Sequence, residues 1–141
     1  MSATKWLAEL HLTEWDAFDA YWIPRGWAKE APIKTQTRID TPRAGRIAEG
    51  PRAIAGVAWA PNRGIERVEV RIDDGEWQEA DLAASLDDDS WRQWSLAWTP
   101  TPGRHKIEAR ATDGTGEIQT EVERPPAPDG ASGYHTISVT V

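Results

Sequence analysis

Residues 67–78 read Arg67-Val68-Glu69-Val70-Arg71-Ile72-Asp73-Asp74-Gly75-Glu76-Trp77-Gln78, and the fold class follows from them. In an extended chain Val68, Val70 and Ile72 point one way and Arg67, Glu69 and Arg71 the other, the period of a half-buried strand. Asp73-Asp74-Gly75 turns the chain, and Glu76-Trp77-Gln78 begins the return. The same alternation recurs on either side. Ile107, Ala109 and Ala111 alternate with Lys106, Glu108 and Arg110 ahead of an Asp113-Gly114 turn, and Ile137, Val139 and Val141 alternate with Thr136, Ser138 and Thr140. Ile54 to Trp59 is small and apolar on both faces, as a central strand would be. Trp94, Leu96 and Trp98 share one face of a strand that Pro100 ends. A further strand is expected near Thr35 to Asp40, stopped by Thr41-Pro42-Arg43. About seven short strands separated by turn signals predict an all-β fold, an immunoglobulin-like antiparallel β-sandwich of the E-set type, over residues 34–141. Pro125-Pro126-Ala127-Pro128 is expected as an extended loop before the last strand.

Residues 1–33 have a different texture. They hold Trp6, Trp15, Trp22 and Trp27, four of the nine Trp in a chain of 141 residues, and show little alternation. Thr13, Glu14 and Asp16 suit a helical turn around Trp15 to Tyr21, which Pro24 and Gly26 end. The segment is too short to bury four indoles by itself. It reads as an irregular N-terminal arm that packs on the sandwich or on a partner.

Composition removes several function classes. The chain has no cysteine, which excludes disulfides, thiolate metal sites and a thiolate nucleophile. Sixteen basic against twenty-three acidic residues leave a formal charge of −7, a balance that repels phosphate backbones and argues against nucleic-acid binding. No apolar run approaches the roughly 20 residues of a membrane span, and the chain is expected to be soluble. Catalytic constellations are thin. His105 and His135 share the core-side parity of their strands and could face each other, but without metal-ligand spacing each reads as a satisfied interior or rim histidine. Asp87-Asp88-Asp89 lacks the spacing of a calcium loop and reads as a solvated loop. Gly114-Thr115-Gly116 precedes a strand rather than a helix, so it has no phosphate-cradling role. The Trp residues admit three roles: core, interface, or a sugar-binding platform built from Trp59, Trp77, Trp91, Trp94 and Trp98. Trp59 reads as too apolar in context for an exposed platform, and Trp94 and Trp98 are expected to share the burial of Leu96.

Taken in order, a series of short motifs resembles the C-terminal dimerisation domain of the sulfite-oxidase-like molybdopterin oxidoreductases. Lys5-Trp6-Leu7, Tyr21-Trp22 and Arg25-Gly26-Trp27 look like the end of the family's molybdenum domain. Thr41-Pro42-Arg43 with Gly45 looks like its first strand and turn. Gly56-Val57-Ala58-Trp59, Ile65-Glu66-Arg67-Val68-Glu69-Val70 and Asp74-Gly75-Glu76-Trp77 are similar to its most diagnostic stretch. Trp91-Arg92-Gln93-Trp94, Arg110-Ala111-Thr112-Asp113-Gly114 and Gly133-Tyr134-His135 complete the series.

The resemblance implies a domain of a larger oxidoreductase that works by oxygen-atom or electron transfer at a molybdopterin centre. That cofactor would belong to the parent, bound through a cysteine of the preceding molybdenum domain; this chain would hold no cofactor, no metal and no catalytic residue. Its expected partners are a second copy, in a homodimer, and the missing molybdenum domain, of which residues 1–33 would be the tail. Trp91, Arg92, Trp94, Trp98, Tyr134 and His135 are the expected interface residues, since Trp and Arg anchor interfaces. Thr136 stands where sulfite oxidases proper are expected to carry a basic residue, which speaks against sulfite itself as substrate. The Trp-rich N-terminal stretch suits a bacterial membrane-anchored parent, a cytoplasmic one being the alternative. Two other classes compete: a stand-alone carbohydrate-binding β-sandwich module and an Ig-like adhesion or accessory domain.

Overall fold

The computed structural model describes residues 5–141; the first four residues of the expected arm lie outside the described residues. Two sheets pack face to face. One has the order β1-β3-β7-β6, formed by β1 (Gln36–Thr41), β3 (Arg52–Trp59), β7 (Arg92–Trp98) and β6 (Asp81–Leu82). The other has the order β2-β9-β8-β4-β5, formed by β2 (Gly45–Arg46), β9 (His135–Thr140), β8 (Arg104–Asp113), β4 (Ile65–Ile72) and β5 (Gln78–Glu79). The strands expected from alternation are all present, and two-residue strands add the rest. One pairing departs from the antiparallel expectation: β2 runs parallel to β9, with Gly45 opposite Val139. The cause is local. The chain leaves the first sheet after Thr41, passes through the buried Pro42 and resumes on the second sheet without reversing direction.

Side-chain parity sorts the core as expected. Ile54, Val68, Val70, Ile107, Ala109, Ala111 and Val139 are all buried between the sheets. Trp94 joins them at 2% exposure, the one Trp of the described residues that the core takes in completely. Leu96 and Trp98 share its direction but are only half-buried, because the short β6 pairs with β7 at Trp94 and Ser95 and leaves the later residues without a neighbour on that side. Trp94 fits because residue 56 is glycine. A Cβ there would lie 1.8 Å from the Arg38 carbonyl oxygen and 2.9 Å from the Trp94 ring.

The turn after β4 forms as the sequence indicates. Asp73 and Asp74 take φ of 53° and 59°, a left-handed pair that Asp tolerates. Pro125-Pro126-Ala127-Pro128 closes into a turn rather than running extended: the Gly130 N–H donates to the Pro126 carbonyl at 2.7 Å. The arm forms two short 3₁₀ turns, Trp15–Ala17 and Ile23–Arg25, and does not bury its indoles on the sandwich. Trp6 is 96% exposed, Trp15 59%, Trp22 42% and Trp27 39%. It is nevertheless shaped. Lys29 Nζ donates to the carbonyls of Trp15 and Phe18 and to Asp19, which closes the 15–29 segment on itself.

Gly56→Ala is expected to destabilise the fold by more than the roughly 1–3 kcal/mol of ordinary overpacking, because the obstacle is backbone. Denaturant unfolding of the variant against the parent chain checks this; an unchanged midpoint would contradict the close approach of β1 to β3.

Candidate interaction surfaces

The two outer faces of the sandwich differ in kind. On the five-stranded sheet, outward residues of β4 and β8 pair across the strands. Arg110 meets Glu69 at 2.8 Å, Arg71 meets Glu108 at 2.9 Å, and Lys106 bridges Asp74 and Glu108. Trp77 lies over this lattice, with the Arg71 and Arg110 guanidinium carbons 4.7 and 4.2 Å from its ring centre, and Tyr134 meets it edge-on at 5.4 Å. These charges and rings satisfy one another.

The outer face of the four-stranded sheet is apolar and graded in size. Along β3 the outward residues are Ala53, Ala55, Val57 and Trp59, all partly or fully exposed. Across the register on β7 stand Ala97, Ser95 and Gln93, with Trp91 just before the strand. Trp59 and Trp91 stack at 5.7 Å with their planes 28° apart, and Arg38 of β1 lies 5.5 Å from the Trp91 ring centre. Arg38 is paired in turn with Asp40, at 2.7 and 3.2 Å. A recess of about 60 Å³ opens beside the two indoles. The acidic loop braces this end. The Asp89 carbonyl accepts the Trp59 indole N–H at 2.7 Å, the Asp89 carboxylate accepts the Asn62 N–H, and the Asp87 carboxylate accepts from Asp89 N–H and Ser90 Oγ.

The expected interface residues do not form one strip. Trp91 is 53% exposed on the outer face of the first sheet. Arg92 is half-buried on the core-side parity opposite Ala58, and its Nε has no hydrogen-bond partner. Trp94 is a core residue. Trp98 is half-buried and meets His105 edge-on at 5.3 Å. Tyr134 belongs to the outer face of the other sheet, and His135 sits at the open edge of the sandwich. Strand alternation separates neighbours in sequence, so Trp91 and Trp94 cannot share a surface. Sequence reasoning did not single out Ala53, Ala55, Val57, Ala97 and Arg38 as surface residues; Trp59, whose context reads as too apolar for an exposed platform, is half-buried. Their signal was the apolar character of β3 on both parities.

His105 and His135 do not face each other. They project from β8 and β9 at separate register positions, opposite Val139 and Ala109. Both ring nitrogens of His105 reach acceptors, the Thr101 carbonyl at 2.7 Å and the Asp73 carboxylate at 2.6 Å, which favours the protonated ring and raises its pKa above the ordinary value. His135 accepts the Ile39 N–H on Nδ1 at 3.0 Å; burial first, then the Arg38 charge, holds its pKa below the ordinary value.

Where the arm joins the sandwich, Asp113 is fully buried. Its carboxylate accepts from Thr35 Oγ1 at 2.7 Å, Arg63 Nε at 2.8 Å, and the N–H and Oγ1 of Thr115. Burial alone would raise its pKa, but the hydrogen bonds from Thr115, Thr35 and Arg63 outweigh it and hold the group well below the usual carboxylate range. The arm and the 117–135 segment then wall a groove of about 1320 Å³, with Phe18, Trp22, Trp27, Ile118, Tyr134 and His135 among its lining.

The chain has no cysteine. Among the described residues no group of three or more His, Asp or Glu is placed to hold a metal ion. Among the same residues no helix is long and apolar enough to cross a membrane.

A scan against family models and a search of curated proteins find no match. Solved structures do match. The chain is similar to the sulfane dehydrogenase SoxCD from Paracoccus pantotrophus, at 26% identity and a TM-score of 0.61 over 73% of this chain. That chain is a dehydrogenase's. The likeness covers 29% of the SoxCD chain, so this protein corresponds to a minor part of it. A fibronectin(III)-like module of Clostridium thermocellum CbhA is also found, at 21% identity and a TM-score of 0.47, covering 75% of this chain and 96% of that one.

Asp113→Ala leaves the Arg63 guanidinium and Thr35 hydroxyl without their acceptor, and is expected to cost about 3–5 kcal/mol, a fall in Tm of roughly 10–20 °C. A loss under about 1 kcal/mol in calorimetry would contradict the assigned role. The histidines tilt stability in opposite directions. His105, with its pKa raised, contributes fully below the unfolded value of about 6.5 and loses its contribution as pH rises through the folded one. His135, with its pKa lowered, contributes fully above about 6.5 and loses its contribution as pH falls through the folded one. Between pH 5 and 9, Tm should peak near the ordinary histidine value, with His105→Gln removing the alkaline decline and His135→Gln the acid one.

Proposed function

We propose that this chain is the subunit-association domain of a larger sulfite-oxidase-like molybdopterin oxidoreductase, with its partner a second copy of itself. The observation that carries this reading is the likeness to the sulfane dehydrogenase SoxCD. A dehydrogenase of reduced sulfur belongs to the same reaction class as the family that the ordered motifs resemble. The likeness spans 29% of that chain, the proportion expected of one domain among several. In the parent the molybdopterin would sit in the preceding domain, on a cysteine this chain lacks. The present residues supply no catalytic step; their contribution is association and a wall of the groove beside His135.

The surface of the arm supports the same reading. Trp6, Leu10, Leu12 and Trp15 are all more than half exposed, and burying a side chain of this size is worth about 2–3 kcal/mol. Such a surface suits the side of a neighbouring domain. The stacking of Trp59 on Trp91 favours an interface over a sugar platform, since the two rings cover each other instead of lying side by side.

Sedimentation equilibrium of the full chain at tens of micromolar tests the proposal. A monomer–dimer equilibrium is expected at both low and moderate salt, because the repulsion of two −7 chains is screened within about 8–10 Å at physiological ionic strength. A pure monomer under both conditions would overturn the association role.

A further inference from the structure

The outer face of the four-stranded sheet has the shape of one half of a symmetric joint. At one end, Ala53 and Ala97 stand opposite each other in register, followed by Ala55 and Ser95. At the other end stand Trp59 and Trp91, stacked on each other. From Ala53 to Trp59 the strand rises about 20 Å. The face therefore carries a ridge of two indoles at one end and a shallow floor of methyl groups at the other.

We propose that the second copy docks on this face, about a two-fold axis near its centre, with the indole ridge of each protomer lying on the alanine floor of the other. This rests on the association role proposed above and assigns it to a surface. In an isologous pair each patch meets itself reversed, so a face graded from small to large along one direction is self-complementary. Small residues let two sheets approach to the ordinary spacing of about 10 Å. Trp91 with Arg38 above it supplies the residue types that anchor interfaces.

The strands of this face carry little charge. The chain carries −7, yet the outward residues of β1, β3 and β7 include one cation and one anion, Arg38 and Asp40, which neutralise each other; Asp81 stands at the flanking edge. The strands themselves thus bring no net charge to the contact, although the acidic Asp87–Asp89 loop borders its indole end. The opposite outer face, by contrast, has its charges paired internally and would lose solvation on burial without gaining partners. Four strands at 4.8 Å spacing give a patch of about 20 by 25 Å, or on the order of 1,000 Å² over both partners. That is the lower bound for a specific interface, so the dimer of this chain is expected to be weak and concentration-dependent.

The test places a charge on the floor. Ala53→Glu and Ala97→Glu, each at an exposed position, are compared with Ser138→Glu on the outer face of β9 and with the unaltered chain, by sedimentation equilibrium with Tm recorded for each. The proposal expects the two floor variants to weaken dimerisation about tenfold or more, at near-parental Tm, and Ser138→Glu to leave it within about twofold. If the unaltered chain dimerises and both floor variants dimerise equally well, this face is wrong while the association role stands. If only Ser138→Glu dissociates the dimer, the joint belongs to the other sheet. A chain monomeric throughout removes both.

Discussion

The carboxylate of Asp113 joins parts of the chain that would otherwise meet only through loops. Thr35 belongs to the approach to β1, Arg63 to the turn between β3 and β4, and Thr115 to the turn after β8; all converge on one buried anion. Arg63 then reaches on to the Ile33 carbonyl at 3.0 Å, where the arm ends. A buried charge is tolerated only when its oxygens are saturated with donors, so the groups must arrive together. This makes the end of β8 a point where register is fixed for both sheets and for the exit of the arm. Glycine at 114 belongs to the same arrangement, since a Cβ there would lie 2.2 Å from the Arg63 carbonyl oxygen.

With the sheets fixed in that way, their two outer faces have different uses. The five-stranded sheet spends its outward residues on cross-strand ion pairs, which gain little stability each when solvated but leave no unmet demand. The four-stranded sheet spends them on methyl groups and indoles, which water serves poorly. A sandwich needs one apolar face per sheet to close its core. A second apolar face on the same sheet has no role inside the domain, and that surplus directs attention outward.

The sandwich was legible in the sequence because alternation is a direct imprint of a half-buried strand. Val68, Val70, Ile107 and Ala109 are buried where their parity put them. The outer face was harder to read. A strand apolar on both parities, such as Ala53 to Trp59, is what burial on both sides produces, and equally what an uncovered contact surface produces. Local sequence contains nothing that distinguishes them. Trp94 and Trp91 show the same limit from the other side: three residues apart, of one type, they end in the core and in solvent. Asp113 reads as a turn residue because Asp-Gly is a strong turn signal, and it does begin the turn, accepting the Gly116 N–H; its further partners Thr35 and Arg63 are remote in sequence, and only the assembled fold brings them to it.

The arm raises the remaining physical question, which is how a segment with no core keeps a shape. Lys29 answers it in part. Its ammonium has three protons, and they go to two backbone carbonyls and the Asp19 carboxylate, which satisfies the donor fully while drawing the 15–29 segment closed. The Trp15 ring lies 5.0 Å from the same nitrogen, so the cation also holds an aromatic face in place. Polar groups do the folding here, and the apolar side chains are left facing out. That is the reverse of a globular segment, and it lowers the ordering cost of a later contact, because the backbone is already arranged before the indoles meet anything. The arm and the four-stranded sheet thus present two separate apolar surfaces, each prepared by polar bracing behind it: Lys29 in one case, the Asp87–Asp89 loop in the other. A domain that only had to be stable would have no use for either.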